Sequence, residues 1–224
     1  HLVSLVYPAQ FYLREDALMR NLLAERYSSQ AIQVMVHWCT RYFGLATQVE
    51  VARRWFGEHT RLFAYRKSFD VQGPATGQGS GNARADNNVV IAELENGGTI
   101  TYLHSALARS GNPPRFEVYG PQGALVCYSW DQEKGGIQER EGIYEARAGE
   151  RELRPVAVPP HMQEAWNYPN ASIPVEVDFI AAVRDGKAPS SATPSFLDGV
   201  RLMEFVQGWR YSMDRGGWCD LPVP

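Results

Sequence analysis

Two periods of apolar and polar positions alternate along the chain, and the switches between them mark its elements. From Asp16 to Tyr27, Leu18, Met19, Leu22 and Leu23 recur at helical spacing and predict a helix. A short strand, Leu2 to Tyr7, is expected before it. Between Gln30 and Tyr42 the period drops to two, with Ile32, Val34 and Val36 alternating against polar neighbours, which predicts a strand. Gly44 opens a second helix, in which Val49, Ala52 and Phe56 share a face and Gly57 is the stop. Leu62, Ala64 and Arg66 continue as a strand. Residues 71–88 hold five glycines or prolines among small polar residues and read as a mobile surface loop. Val89, Ile91 and Leu94 then form a strand, Asn96-Gly97-Gly98 a tight turn, and Thr99 to Ala108 the returning strand. Phe116–Tyr119 and Ala124–Tyr128 add another hairpin, and shorter charged strands follow to about Val158.

The C-terminal part returns to helical spacing. Ser172 is the expected N-cap of a helix that ends at Gly186, with Ile173, Val177, Ile180 and Ala181 as its buried face. A second helix starts at Ser195, capped with Asp198, buries Val200, Met203, Val206 and Met213, and stops at Gly216-Gly217. Consecutive hairpins flanked by helices predict an α+β fold: a large, mostly antiparallel open sheet with helices packed on one face. One domain over residues 1–224 is expected. Val89, Ile91, Tyr102 and Val118 cannot all face those helices, so the other sheet face is expected to meet a second copy, as a homodimer or higher homo-oligomer.

Composition narrows the function. The chain has 224 residues, 44% hydrophobic and 21% charged, which fits a folded globule. Its net charge is −3 and no Lys/Arg block occurs, so no nucleic-acid footprint is expected. No apolar run reaches the 18 or so residues of a membrane span. Cys39, Cys127 and Cys219 are far apart, with no CxxC pair, so neither a disulfide framework nor a zinc site is expected. A reduced, cytoplasmic protein follows. The N-terminal apolar run is cut by Pro8 and lacks a basic flank, so it is not read as a signal peptide. Opening on His1 without Met, the chain reads as a processed or truncated piece.

Common catalytic signatures are missing. Gly77-Gln78-Gly79-Ser80-Gly81-Asn82 lacks the Lys-Ser/Thr of a phosphate loop and the third Gly of a dinucleotide fingerprint, and it precedes a strand. No G-x-S-x-G elbow occurs, and Ser105 beside His104 points to the opposite sheet face. His37 and Cys39 share a side, but two ligands do not make a metal site.

Val177-Asp178-Phe179-Ile180-Ala181-Ala182-Val183-Arg184-Asp185-Gly186-Lys187-Ala188-Pro189 resembles the "FxxAIRxGxxP" segment of the Gfo/Idh/MocA oxidoreductases. Ser195 to Arg201, with Ser212, Gly216, Gly217 and Leu221, is similar to that family's last helix and strand. Asp86 to Gly98 and Phe116 to Leu125 resemble its "DNxxxxLxFxNGAxG" hairpin and "IxGxxGxL" strand pair. These segments span most of residues 86–222, in the family's order. The resemblance is to the C-terminal domain only, so it implies a domain that binds substrate and mediates subunit contacts. The parent would use NAD or NADP held by a Rossmann domain absent here. No cofactor is expected in this chain, which alone should lack redox activity. The implied substrate is a sugar, cyclitol or similar polyol.

One departure stands out. The family's proton-transferring Asp and His, four apart on a helix, correspond here to Gly44 and Gln48, neither of which is an acid or base at neutral pH. Either Tyr42, Glu50 or His104 takes over, or that chemistry is lost and the domain is a non-catalytic ligand- or protein-binding regulatory module. Tyr42, Gln48, His104 and Arg109 are the candidate substrate-binding residues.

Overall fold

A computed structural model describes residues 15–27, 32–39, 45–71, 83–108, 114–128, 142–163, 173–188 and 193–223. Helix α1 (Asp16–Tyr27), strand β1 (Gln33–Trp38) and helix α2 (Leu45–Phe56) come first, then the hairpin-linked strands β2 (His59–Val71), β3 (Ala83–Leu94) and β4 (Thr99–Ser105). Strands β5 (Arg115–Gly120), β6 (Gly123–Tyr128), β7 (Gly142–Arg147) and β8 (Arg154–Pro155) follow. Helices α3 (Ile173–Asp185) and α4 (Phe196–Arg215) precede a last short strand, β9 (Cys219–Asp220). The strands form one sheet in the order β8-β7-β6-β5-β1-β4-β3-β2-β9, in which β1 and β4 run parallel and every other described pair is antiparallel.

Alternation along each strand sets which face is dry. Val34, Val36, Leu62, Ala64, Val90, Ala92, Ile100, Tyr102, Phe116 and Val118 all point to one face and are buried. Helices cover that face: Trp55 of α2 meets Phe116 with ring centroids 5.0 Å apart, and Phe205 of α4 meets Tyr102 at 5.6 Å. Burying each such side chain contributes about 1.5–3 kcal/mol. Val89 and Ile91 point to the opposite face, where Ile91 is 38% exposed. The four apolar residues expected to divide between the faces therefore split two and two.

Buried charges tie α1 to α2. Asp16 accepts from the Trp55 indole at 2.8 Å and from Arg20 at 3.1 Å, and it lies 3.5 Å from Arg54. At the other end of the helix layer, Ser212 of α4 accepts from the Ala64 amide at 2.8 Å and donates to the Gly217 carbonyl at 2.6 Å. The expected capping box is present, with Ser195 and Asp198 bonding reciprocally, and Gly216 ends α4 at φ 69°.

Three expectations need correction. Within the segment 71–88 read as a loop, Val71 ends β2 and 83–88 belong to β3, with Val71 paired to Ala83; residues 72–82 lie outside the described residues. Backbone ladder pairing joins the two strands along this ribbon. The α4 stripe is displaced: Phe205, Gly208, Trp209 and Ser212 face the sheet, while Val200 and Met203 face solvent. On α3 the expected inner residues Val177 and Ile180 are exposed, and Ala182 is buried instead. The strand expected at Leu2–Tyr7 and the Ser172 cap lie outside the described residues.

Candidate functional site

The direction of α2 defines two unlike ends of the sheet. The carbonyl of Phe56, its last residue, accepts from Asn96 at 3.5 Å, and the Glu58 carbonyl accepts from the Glu95 amide at 3.0 Å. The C-terminus of α2 therefore sits beside the β3–β4 turn, where β1 begins, and its N-terminus points to the end where β1 and β4 finish. In open sheets, ligands favour the carboxyl ends of parallel strands, where loops diverge.

At that end the helix-covered face turns polar. The register aligns Trp38 of β1 with His104 of β4, His104 with Asn88 of β3, and Asn88 with Arg66 of β2. Directly opposed residues place their Cβ atoms about 4.5–5.5 Å apart, so these four make a continuous row. Asn88 and His104 are both buried, their Nδ2 and Nδ1 atoms are 3.3 Å apart, and Asn88 Oδ1 has no hydrogen-bond partner. Beyond the row, Asp86 accepts from Arg66 at 2.5 Å and from the Ser68 hydroxyl at 2.5 Å. Both oxygens of that carboxylate are thus fixed in place.

Gln48 lies near the start of α2. It precedes Trp55 by seven residues, about 10 Å along the helix towards the N-terminus. Its side chain is 1% exposed, yet neither Oε1 nor Nε2 has a partner. An amide so buried loses about 1–3 kcal/mol for each unsatisfied group. A site for hydroxyl groups would satisfy it, since a hydroxyl both donates and accepts.

Of the residues singled out from the sequence, His104 lies in this polar row of the sheet and Gln48 is buried on α2. Tyr42, Gly44 and Arg109 lie outside the described residues. Glu50 faces α1: its Oε1 is 3.0 Å from Arg54 Nε, and burial raises its carboxyl pKa against the pull of Arg54. Neither of its carboxylate oxygens makes a hydrogen bond. Arg66, Ser68, Asp86 and Asn88 went unrecognised because their segment read partly as loop. Their signal is a period of two in polar residues, at 66 and 68 and at 86 and 88.

Other clusters have other work. At the opposite end, a cavity of about 200 Å³ is lined by Arg53, Glu58, His59, Arg201 and Glu204 among others, but its charges pair with one another. Arg53 donates to Glu58 at 2.6 and 2.9 Å, and Arg201 to Glu204 at 2.9 Å. On the uncovered sheet face, Glu117 accepts from Arg115 at 2.5 Å and Tyr119 at 2.7 Å. Burial raises its pKa, but these two bonds outweigh that and hold it below the usual range. His37 Nε2 is 3.5 Å from the same carboxylate. Among the described residues no group of three or more His, Cys, Asp or Glu is placed to hold a metal. No reaction step through a cofactor is assigned to them.

No family model and no curated protein matches the chain. Solved structures do. Levoglucosan dehydrogenase in complex with NADH and levoglucosan is 18% identical, with a TM-score of 0.66 over 94% of this chain and 64% of that one. An oxidoreductase domain protein from Kribbella flavida is 17% identical, with a TM-score of 0.64 over 93% and 64%. An oxidoreductase from Agrobacterium radiobacter, in complex with NAD+, L-tartaric acid and magnesium, is 12% identical, with a TM-score of 0.58 over 93% and 62%. This chain spans less than two thirds of each. At such identities the likeness shows the fold alone, an α+β domain on a large, mostly antiparallel open sheet, as the sequence predicts.

Proposed function

We propose that this chain is the substrate-binding and self-associating domain of an NAD(P)-dependent oxidoreductase acting on a sugar, cyclitol or similar polyol. The cofactor is held by a domain outside residues 1–224. The observation that carries this reading is the Gln48 amide, buried without a partner near the start of α2. Asn88, His104 and the fixed Asp86 carboxylate supply further donors and acceptors for substrate hydroxyls. The resemblance adds Tyr42 and Arg109 as substrate-binding candidates, and an arginine suits a carboxylate-bearing polyol. The levoglucosan and L-tartaric acid complexes of proteins with this fold support that substrate class. The uncovered sheet face, with Tyr65, Ile91 and Tyr119 exposed, meets a second copy. No helix among the described residues is long and apolar enough to cross a membrane. The reading places the protein in the reducing cytoplasm, where Cys39, Cys127 and Cys219 stay thiols.

The test is steady-state kinetics on the longer polypeptide with a polyol panel. Gln48 orients and transfers no proton, so Gln48→Ala should raise KM about 5–30-fold, the equivalent of 1–2 kcal/mol, with kcat little changed. An unchanged KM with kcat abolished would refute the orienting role. A second reading, a ligand-binding module without turnover, is favoured by Gly44 and Gln48 standing where the resemblance calls for an acid and a base. Polyol binding without any NAD(P)-linked oxidation would establish it.

A further inference from the structure

Helix α3 carries an apolar stripe that this chain leaves uncovered. Val177, Ile180 and Val183 are 51%, 64% and 54% exposed, whereas Ala182 is buried. A helix of 13 residues is marginal in water without a packed face. Single exposed apolar side chains are ordinary, but three at helical spacing on one helix form a contact surface. α4 carries a second such stripe, with Phe196, Val200 and Met203 more than half exposed. The two helices are tied by the Thr193 hydroxyl, which donates to Asp178.

The order of residues on α3 selects the occupant. Outward from Ile180, the stripe meets Val177 then Glu176 in one direction, and Val183 then Arg184 in the other. Glu176 and Arg184 are both exposed. The pattern is symmetric about Ile180 in apolar positions and reversed in charge at 176 and 184, where Arg184 bonds Asp185 at 2.7 and 3.3 Å in the single chain and would share its guanidinium with the other copy's Glu176. Such a surface complements its own copy turned through a two-fold axis. We propose that α3 docks antiparallel on α3 of a second copy, with Ile180 on the axis. Val177 then packs on Val183 of the other copy, and Glu176 faces its Arg184. A parallel arrangement would set like charges together, which disfavours it. The contact is isologous, so it closes at two chains and leaves the sheet face free. It is a surface separate from the sheet-face contact of the proposed function, and both together would give a closed tetramer.

Sedimentation equilibrium of the 224-residue chain tests this. Ile180→Glu should weaken association at least about tenfold while leaving the far-ultraviolet circular dichroism unchanged, because the side chain is exposed in the single chain. Glu176→Arg and Arg184→Glu should each weaken it alone. An equimolar mixture of those two variants should restore it, since each then meets its opposite charge. Ile91→Glu, on the uncovered sheet face, should leave the α3 contact intact. A wild-type monomer, an Ile180→Glu variant of unchanged mass, or a mixture that fails to recover would each overturn the proposal. If Ile180→Glu dissociates the chain and Ile91→Glu has no effect, the α3 contact stands and the sheet-face reading falls.

Discussion

Acidification should destabilise this fold through His59. The imidazole is buried between Phe205 and Tyr102, its Nε2 is 2.7 Å from the Tyr102 hydroxyl, and its Nδ1 has no partner. Burial, helped by the nearby Arg53 charge, lowers its pKa from 6.5 to about 4. The folded state thus keeps His59 neutral while the unfolded chain protonates it below 6.5. The unfolded state binds more protons, so stability is full above about pH 6.5 and falls until about pH 4. Integrating that difference gives a loss of about 2 kcal/mol by pH 5 and about 3 kcal/mol by pH 4. Ionised carboxylates such as Glu58, whose pKa the Arg53 hydrogen bonds lower, add their own acid sensitivity. A comparison with His59→Gln cancels those terms, because glutamine does not titrate. Urea unfolding followed by tryptophan fluorescence at pH 7 and pH 5 gives both stabilities, the chain having 6 Trp. The variant should start less stable, and the gap should narrow by about 2 kcal/mol by pH 5. Parallel curves would refute the argument that His59 is held neutral by burial.

Asp16→Ala should cost about 1–3 kcal/mol in the same assay, because it leaves the buried Trp55 indole unpaired, while Arg54 keeps Glu50. Gly123→Ala should cost at least about 2 kcal/mol, since the added Cβ would lie 2.0 Å from the Ala146 carbonyl oxygen at a backbone φ of 120°. Gly149→Ala meets open space at φ 88° and should cost only the left-handed strain, about 1–2 kcal/mol; a larger loss than at Gly123 would invert this ranking. Ser212→Ala removes the bridge between the Ala64 amide and the Gly217 carbonyl, and thermal denaturation should register about 1–3 kcal/mol.

Elements whose local signal and tertiary role agree were readable from the sequence. Ile32, Val34 and Val36 alternate and are buried, and Val49, Ala52 and Phe56 mark the inner side of α2. The turn at Asn96–Gly98 and the stop at Gly57 need backbone that glycine adopts without strain, so they were legible too. The parallel pairing of β1 with β4 was not, because no local pattern records which distant strand becomes a neighbour. Periodicity on α3 and α4 was real but named the wrong side: a stripe shows that a face needs cover, not whether this chain supplies it. Of the candidate site, Gln48 and His104 came from the resemblance. Asn88 and Asp86 needed the strand register, since polar residues around a glycine-rich segment look like loop until the ribbon is seen to pair.

The claim that this domain takes a polyol at the polar end of its sheet is tested most directly by titrating the ¹⁵N-labelled chain with levoglucosan and watching side-chain amides by NMR. The Gln48 and Asn88 amide signals, assigned by loss in Gln48→Ala and Asn88→Ala, should shift together and saturate. Backbone amides of the Glu95–Gly98 turn, at the far end of the sheet, should stay still. Saturable shifts at that turn with unmoved Gln48 and Asn88 amides, or no saturable shifts at all, would contradict the account.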